Sequence, residues 1–157
     1  MKFEEFMCFE ATIPQLQAKD RDGAITELVA ALVSAGGIPT ELGKDVTKAV
    51  VKRENEASTG MGKGVAVPHV KHPAVKKVTA VVGHSATGID FASLDEQPVY
   101  SVILLISPVD NPDKHLQAME NIFRHLQKER FRKFLRQCRN AQELQDLLRE
   151  ADENPSW

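Results

Sequence analysis

Cysteine is scarce in this 157-residue chain, which has two, Cys8 and Cys138, far apart in the sequence. Neither belongs to a C-x-x-C pattern, so the sequence indicates neither a disulfide framework nor a cysteine zinc site. Long apolar runs are also missing, since no stretch approaches the roughly 18 residues of a membrane-spanning helix. The first residues, MKFEEF, are acidic where a signal peptide needs a basic start. We therefore expect a cytoplasmic protein without direct membrane insertion.

An excess of charge of one sign is also lacking. Lys and Arg number 20 and Asp and Glu 22, which gives a net charge of −2 at pH 7. The basic residues between positions 130 and 139 alternate with apolar residues at helical spacing, as on a solvated helix face. Nucleic acid is therefore not an expected partner. With 42% hydrophobic residues and no internal repeat, the chain suits a single domain.

Helical periodicity is found in both outer thirds of the chain. The first helix is predicted by apolar residues that recur every three or four positions: Ile25, Leu28, Val29, Leu32 and Val33. Asp22 is its expected N-cap, and Gly36 or Gly37 its expected stop. A second helix from about residue 40 is expected to end near Arg53 and Glu54. Further helices are predicted after residue 111, before a polar tail.

The middle third is rich in Val and Ile and is broken by Gly, Pro and Asp, which is typical of short strands. The candidate strands are VAV, VTAVVGH, GIDF and VYSVILLIS. The last is continuously apolar from Val102 to Ile106, as expected for a strand covered on both faces. The order helix, strand, helix predicts the α/β class, with a mixed β-sheet sandwiched between helical layers in a three-layer single domain.

The segment GMGKGVAVPHVKHP, residues 60–73, raises the functional question. Pro68 has no N–H to offer a neighbouring strand, so it is expected to end VAV and to place His69 at the strand terminus. The three glycines match no nucleotide-binding motif, because a strand follows them instead of a helix. A histidine at a strand end is either a surface residue at a turn or part of a site.

Two other residues favour a site. Arg53 is predicted near a helix end, and His115 lies just inside a helix opened by NPD, where free N–H groups attract anions. A neutral imidazole, an arginine fork and a helix N-terminus are the groups needed to accept a phosphoryl group. Spacing in the sequence does not itself bring the three together.

A family resemblance connects them. RENEASTGMGKGVAVPH (residues 53–69) resembles the active-site segment of the enzyme IIA components of the bacterial phosphoenolpyruvate-dependent sugar phosphotransferase system, in the fructose–mannitol class that includes the nitrogen-regulatory IIA proteins. That segment has Arg-Glu, Ser-Thr-Gly and Gly-Ile-Ala-Ile-Pro-His, and valines replace the isoleucines here. GIDFASLDEQPVYSVILLISP (88–108) and DKHLQAMENIFRHL (113–126) resemble further blocks of the family. The resemblance covers nearly the whole chain.

The resemblance implies a role for each candidate residue. His69 would be the phosphoryl acceptor, with Arg53 and His115 around the phosphate. Glu54 would be accessory, orienting Arg53 as an ion pair. Where the family commonly has a small residue and arginine after the histidine, this chain has valine and Lys71, so Lys71 would supply the positive charge.

The resemblance also implies the organisation and the partners. Residues 1–150 would form a IIA type 2 domain, and residues 151–157 a polar C-terminal tail. The phosphoryl donor would be the histidine phosphocarrier protein, and the receiver a IIB domain of a sugar transporter or a regulatory target. No cofactor is expected, because the phosphate is carried covalently on His69.

Two alternatives remain open on the sequence. His69 and His72 form an H-x-x-H pair that could bind a metal, although Pro73 argues against one helix presenting both. The chain could also be a regulatory module that keeps the IIA fold and binds a partner without carrying phosphate. The other histidines are predicted to be structural, with His72 in a loop, His84 at a strand end and His125 on a helix near its apolar stripe.

Overall fold

The computed structural model describes residues 1–154 and 156. The helices are α1 (Arg21–Ser34), α2 (Gly43–Glu56), α3 (Pro112–Leu126), α4 (Glu129–Gln137) and α5 (Ala141–Glu153). The strands are β1 (Gly60–Gly62), β2 (Val65–Ala66), β3 (His69–His72), β4 (Thr79–Ile89) and β5 (Val99–Pro108). Within this part of the chain, no helix is long and apolar enough to cross a membrane.

The helix ends follow from capping side chains. Asp20, and not the expected Asp22, caps α1, because its carboxylate accepts a hydrogen bond from the Gly23 N–H at 2.7 Å. Gly36, at φ +79°, takes the left-handed conformation that ends many helices. Asn111 caps α3 in the same way as Asp20, and Pro112 occupies the first helical position, where its missing N–H costs nothing.

Strand β5 is the centre of a mixed sheet. It pairs antiparallel with β4 and parallel with both β2 and β3, while β1 pairs antiparallel with β2. GIDF is not a strand of its own, because Gly88 and Ile89 end β4 and Asp90 and Phe91 lie outside the sheet. The long apolar run is confirmed as a strand buried on both faces.

Alternation along β5 divides the core into two layers. Ile103 and Leu105 face α3, α4 and α5, whereas Val102, Leu104 and Ile106 face α1 and α2. Each face of the sheet is therefore covered by helices, which confirms the predicted three-layer α/β arrangement.

The two termini are joined, which the sequence did not predict. Residues 6–8 extend the sheet beside β4, where the Phe6 carbonyl accepts from the Ala80 N–H at 2.9 Å. The buried Asp152 carboxylate accepts from the N–H groups of Phe3 and Glu4 at 2.7 and 2.9 Å. Residues 151–153, expected in a polar tail, thus belong to α5. Residues 155 and 157 of that expected tail lie outside the described residues.

Candidate functional site

Pro68 separates two short strands that run in the same direction. Strands β2 and β3 lie on either side of this proline and pair with the same edge of β5. The Pro68 carbonyl still accepts from the Leu105 N–H at 2.9 Å, so the chain keeps its direction through the break. As predicted, the strand of VAV ends before Pro68 and His69 lies at a strand terminus, but this terminus is the start of a second strand, β3.

The ring of His69 is oriented by its own strand. Its Nδ1 lies 2.8 Å from the carbonyl oxygen of Val67. Because a carbonyl can only accept, Nδ1 must carry the proton, and the lone pair of the neutral ring is on Nε2. The half-buried His69 therefore offers Nε2 as its nucleophilic atom.

His115 lies next to His69. It is the fourth residue of α3, as predicted, and its ring centroid is 5.9 Å from that of His69. Its Nδ1 lies 2.7 Å from the hydroxyl oxygen of Ser107 on β5. The sheet and the start of α3 thus bring together two imidazoles that are 46 positions apart in the sequence (115 − 69).

The surroundings of His115 favour its neutral form. Burial, the neighbouring His69 and the Lys71 ammonium lower the pKa of His115 to about 4. At pH 7 the ring is therefore uncharged, with one nitrogen able to donate a hydrogen bond and the other able to accept one.

Lys71 adds a positive charge at the same place. It follows His69 by two residues on β3, so the two side chains leave the same face of the sheet. Lys71 is the register partner of Ser107 and is exposed to solvent. An ammonium here faces the side of the sheet on which His115 lies.

Arg53 is placed at the end of α2, as predicted. Its Nη1 donates to the Ala57 carbonyl at 2.9 Å, across the last turn of the helix. Among the described residues, none of its hydrogen bonds or ion pairs goes to His69 or His115. The loop after α2 approaches the site, because the Thr59 carbonyl accepts from the Val67 N–H at 3.2 Å.

Glu54 has a different role from the expected one. Its buried carboxylate accepts from the N–H of Thr59 at 2.6 Å and from the Thr59 hydroxyl at 2.7 Å. The predicted ion pair between Arg53 and Glu54 is wrong within the described chain, because consecutive helical residues point in different directions. Glu54 instead fixes the loop that leads into β1 and β2.

The H-x-x-H metal pair is not formed. His69 and His72 are three residues apart on one strand, so their side chains leave opposite faces of the sheet. His72, predicted in a loop, is the buried last residue of β3, where its Nε2 hydrogen-bonds Asp45 and its Nδ1 accepts from the Ala74 N–H at 3.1 Å. No group of three potential metal ligands occurs among residues 1–154 and 156.

The two remaining histidines lie away from the site. His84 is inside β4 and not at its end, with Nδ1 3.3 Å from the Pro14 carbonyl oxygen. His125 is on α3 and packs against the rings of Phe3 and Phe131, at centroid distances of 5.1 and 5.3 Å. The prediction that it lies near the apolar stripe of the helix is confirmed.

Ser107 is the residue that sequence reasoning missed. It falls near the end of the apolar run VILLIS and gives no motif signal of its own. Parity along β5 would have found it, because Ser107 follows Ile103 and Leu105 on the face that α3 covers. A polar residue on the buried face of a strand needs a polar partner, and for Ser107 that partner is His115.

The family follows from comparison with known proteins. Residues 6–151 match the family model for the phosphoenolpyruvate-dependent sugar phosphotransferase system, EIIA 2. The chain belongs to this family. The predicted resemblance is confirmed, and EIIA components are phosphotransferases in the relay of that system.

Its relatives include a sugar-specific component and a nitrogen regulatory protein. The chain is 35% identical to a fructose-specific EIIA component from Haloferax volcanii over 133 residues, which cover 85% of each chain. It is 32% identical to a nitrogen regulatory protein from Bradyrhizobium diazoefficiens over 148 residues, covering 94% of this chain and 95% of the relative.

Solved structures share the fold. Nitrogen regulatory protein IIA-Ntr from Neisseria meningitidis superposes with a TM-score of 0.82 at 23% identity, over 92% of this chain and 97% of that one. The IIA mannitol domain from Escherichia coli, in its complex with phosphorylated IIB, gives a TM-score of 0.74 at 22% identity, over 90% and 95% of the two chains.

Proposed function

We propose that this EIIA protein accepts a phosphoryl group on Nε2 of His69 from the histidine phosphocarrier protein and then passes it on. The observation that supports this most directly is the hydrogen bond from His69 Nδ1 to the Val67 carbonyl, which leaves the Nε2 lone pair available beside His115. Family membership supports the carrier role.

The transfer needs no cofactor. The Nε2 lone pair of His69 forms the new N–P bond while the N–P bond to the donor's histidine breaks, and that electron pair returns to the donor's imidazole. The proton on Nδ1 of His69 stays on Nδ1. Lys71 and a hydrogen bond from His115 would stabilise the charge on the equatorial oxygens of the loose transition state, and Arg53 would move its guanidinium toward them.

The step after His69 is inferred from the relatives. In the Escherichia coli mannitol complex, a IIA domain is bound to phosphorylated IIB. The fructose-specific relative favours a IIB acceptor here, and the nitrogen regulatory relative favours the phosphorylation state as the output. We propose the cytoplasm as the location in both cases.

Phosphorylation with purified components tests the proposal. The protein is incubated with phosphoenolpyruvate, the first enzyme of the system and the phosphocarrier, and the modified residue is mapped. We expect one acid-labile, alkali-stable phosphate on His69, absent from His69→Ala. His84→Ala, which removes a half-buried histidine outside the site, should be labelled like the wild type. Full labelling of His69→Ala would refute the assignment.

Transfer onward separates the carrier from a module that only binds a partner. The labelled protein is mixed with IIB domains of the fructose and mannitol classes, and loss of label from His69 is followed. Rapid loss to one of them supports the carrier role. A protein that never becomes labelled would support the partner-binding alternative.

A further inference from the structure

Ser107 is a fully buried hydroxyl in contact with the site. Its exposed fraction is 0%, and its Oγ lies 2.7 Å from Nδ1 of His115. Within the described chain this is the one hydrogen bond of the Ser107 side chain. The contact is short and joins the central strand of the sheet to the start of α3.

The direction of this hydrogen bond follows from burial. If Nδ1 of His115 donated, the hydroxyl proton of Ser107 would be left without an acceptor in a place that water does not reach. If the hydroxyl donates, its single proton is used and only oxygen lone pairs are unpaired. An unsatisfied buried donor is the more costly arrangement, so the Ser107 hydroxyl donates to Nδ1.

We infer that Ser107 is a positioning residue that holds neutral His115 in the tautomer with the proton on Nε2. Nδ1 is then occupied as an acceptor, and Nε2–H is the ring's donor. A histidine tautomer is generally fixed by the hydrogen bond that the other nitrogen makes.

The two imidazoles of the site are then set in opposite tautomers. Val67 offers a carbonyl to Nδ1 of His69, which leaves a lone pair on its Nε2. Ser107 offers a hydroxyl to Nδ1 of His115, which leaves a proton on its Nε2. One Nε2 can therefore attack phosphorus, while the other can only donate to a phosphoryl oxygen.

This arrangement explains how two adjacent histidines can have different roles. With a proton on Nε2, His115 has no lone pair there to compete for the phosphoryl group. Because His115 is also neutral, it does not repel a positive charge on the neighbouring His69. The consequence for phosphoryl transfer rests on the proposed function, whereas the tautomer itself does not.

The tautomer is measured directly by nitrogen NMR. Long-range proton–nitrogen correlation spectra of 15N-labelled protein at pH 7 distinguish protonated from bare ring nitrogens. We expect a bare Nδ1 and a protonated Nε2 for His115, and the reverse for His69. In Ser107→Ala the His115 nitrogens should move toward the averaged shifts of two exchanging tautomers. A protonated Nδ1 on His115 in the wild type would overturn the inference.

Transfer kinetics test the consequence, with variants that separate the hydroxyl from packing. Ser107→Ala should slow phosphoryl transfer from the phosphocarrier roughly ten- to a hundredfold, because the donor is no longer fixed. Ser107→Thr, which keeps the hydroxyl, should recover most of the rate and restore the wild-type nitrogen shifts. Ser101→Ala removes another buried serine of β5 and is the control for loss of packing.

The outcomes also separate this inference from the proposed function. Equal transfer by Ser107→Ala and the wild type, at similar melting temperatures, would contradict the positioning role. Equal loss in the alanine and threonine variants would assign the effect to packing and would also contradict it. If the wild type were not phosphorylated at all, the proposed function would fail, and the nitrogen shifts would still decide the tautomer.

Discussion

His115 and His125 are ten positions apart on α3, and burial lowers the pKa of each to about 4. Their neighbours are different. His115 is partly exposed, touches the Ser107 hydroxyl and lies 5.9 Å from the ring of His69. His125 is 1% exposed and is packed against two phenylalanine rings, and its Nδ1 has no hydrogen-bond partner in the described chain.

The comparison shows that a lowered pKa does not by itself identify a functional histidine. At His125 the shift results mainly from burial, with smaller contributions from the charges of Lys128 and Arg124, and the ring is closed off from solvent. At His115 the same shift occurs where a second imidazole, a buried hydroxyl and a lysine converge. Access to a reacting partner, rather than the pKa, distinguishes the two residues.

The largest expected effect is a difference in transfer rate between variants of His115 and of His125. His115→Ala should slow transfer both from the phosphocarrier and onward to a IIB acceptor by roughly thirty- to a thousandfold, because one donor to the transition state is lost. His125→Phe keeps a ring packed against the two phenylalanines and should leave both rates unchanged. Rapid-quench measurements of the two half-reactions provide the test. Normal rates in both directions for His115→Ala would show that His115 takes no part in transfer.

Local patterns predicted much of this fold from the sequence. Apolar periodicity located α1, and the Asn-Pro-Asp start located α3 and placed His115 in its first turn. The apolar run from Val102 to Ile106 was enough to predict β5, because a strand segment buried on both faces has apolar residues at every position. These features depend on residues close together in the chain.

The missed features depend on partners far away in the chain. Nothing in the sequence distinguishes Asp152 from other acidic residues. Its carboxylate can be buried because it accepts a hydrogen bond from the N–H of Phe3, which is 149 positions away in sequence. The role of Ser107 likewise depends on its hydrogen bond with His115. Glu54 was assigned to its sequence neighbour Arg53, whereas the turn of the helix directs it to Thr59. In each case the side chain's partner is set by tertiary packing.

The second prediction concerns stability in acid. The pKa of His125 is about 4 in the folded chain and about 6.5 when unfolded, so the unfolded chain binds more protons between these values. The free energy of unfolding should therefore fall as the pH drops from about 6.5 to about 4, with His125 contributing up to about 3 kcal/mol. Urea titrations of the wild type and His125→Phe at several pH values measure this contribution.

His115 provides the comparison in the same experiment. Its pKa is also lowered, so it contributes in the same direction. His115→Ala should therefore remove a further part of the pH dependence of the free energy of unfolding. The two contributions should add, because the residues share no partner. A wild-type stability that did not change between about pH 7 and about pH 4.5 would contradict the closed environment described for His125.

The third prediction concerns Arg53. Arg53→Lys keeps the charge but loses the planar fork that can bind two phosphoryl oxygens, so transfer should slow by roughly tenfold while the melting temperature changes little. Lys52→Ala removes an exposed charge one position earlier and should not alter the rate. Unchanged labelling of Arg53→Ala would show that the guanidinium serves only to donate a hydrogen bond to the Ala57 carbonyl at the end of α2.

The smallest expected effect is that of the Lys71 charge on the pKa of His115. Lys71 is the weakest of the three influences that lower the pKa of His115, after burial and His69, and it is not among those that act on His125. Replacing Lys71 by methionine keeps much of the length of the side chain and removes the ammonium. The pKa of His115 should then rise, because its protonated form loses a repulsive neighbour, while the pKa of His125 stays the same. Titration of both rings by NMR measures this difference within one molecule, and Lys76→Met, at an exposed position beyond β3, is the matched control. Equal movement of both histidines would mean that the substitution had altered α3 as a whole, and no movement of His115 would show that the Lys71 ammonium does not act on the site.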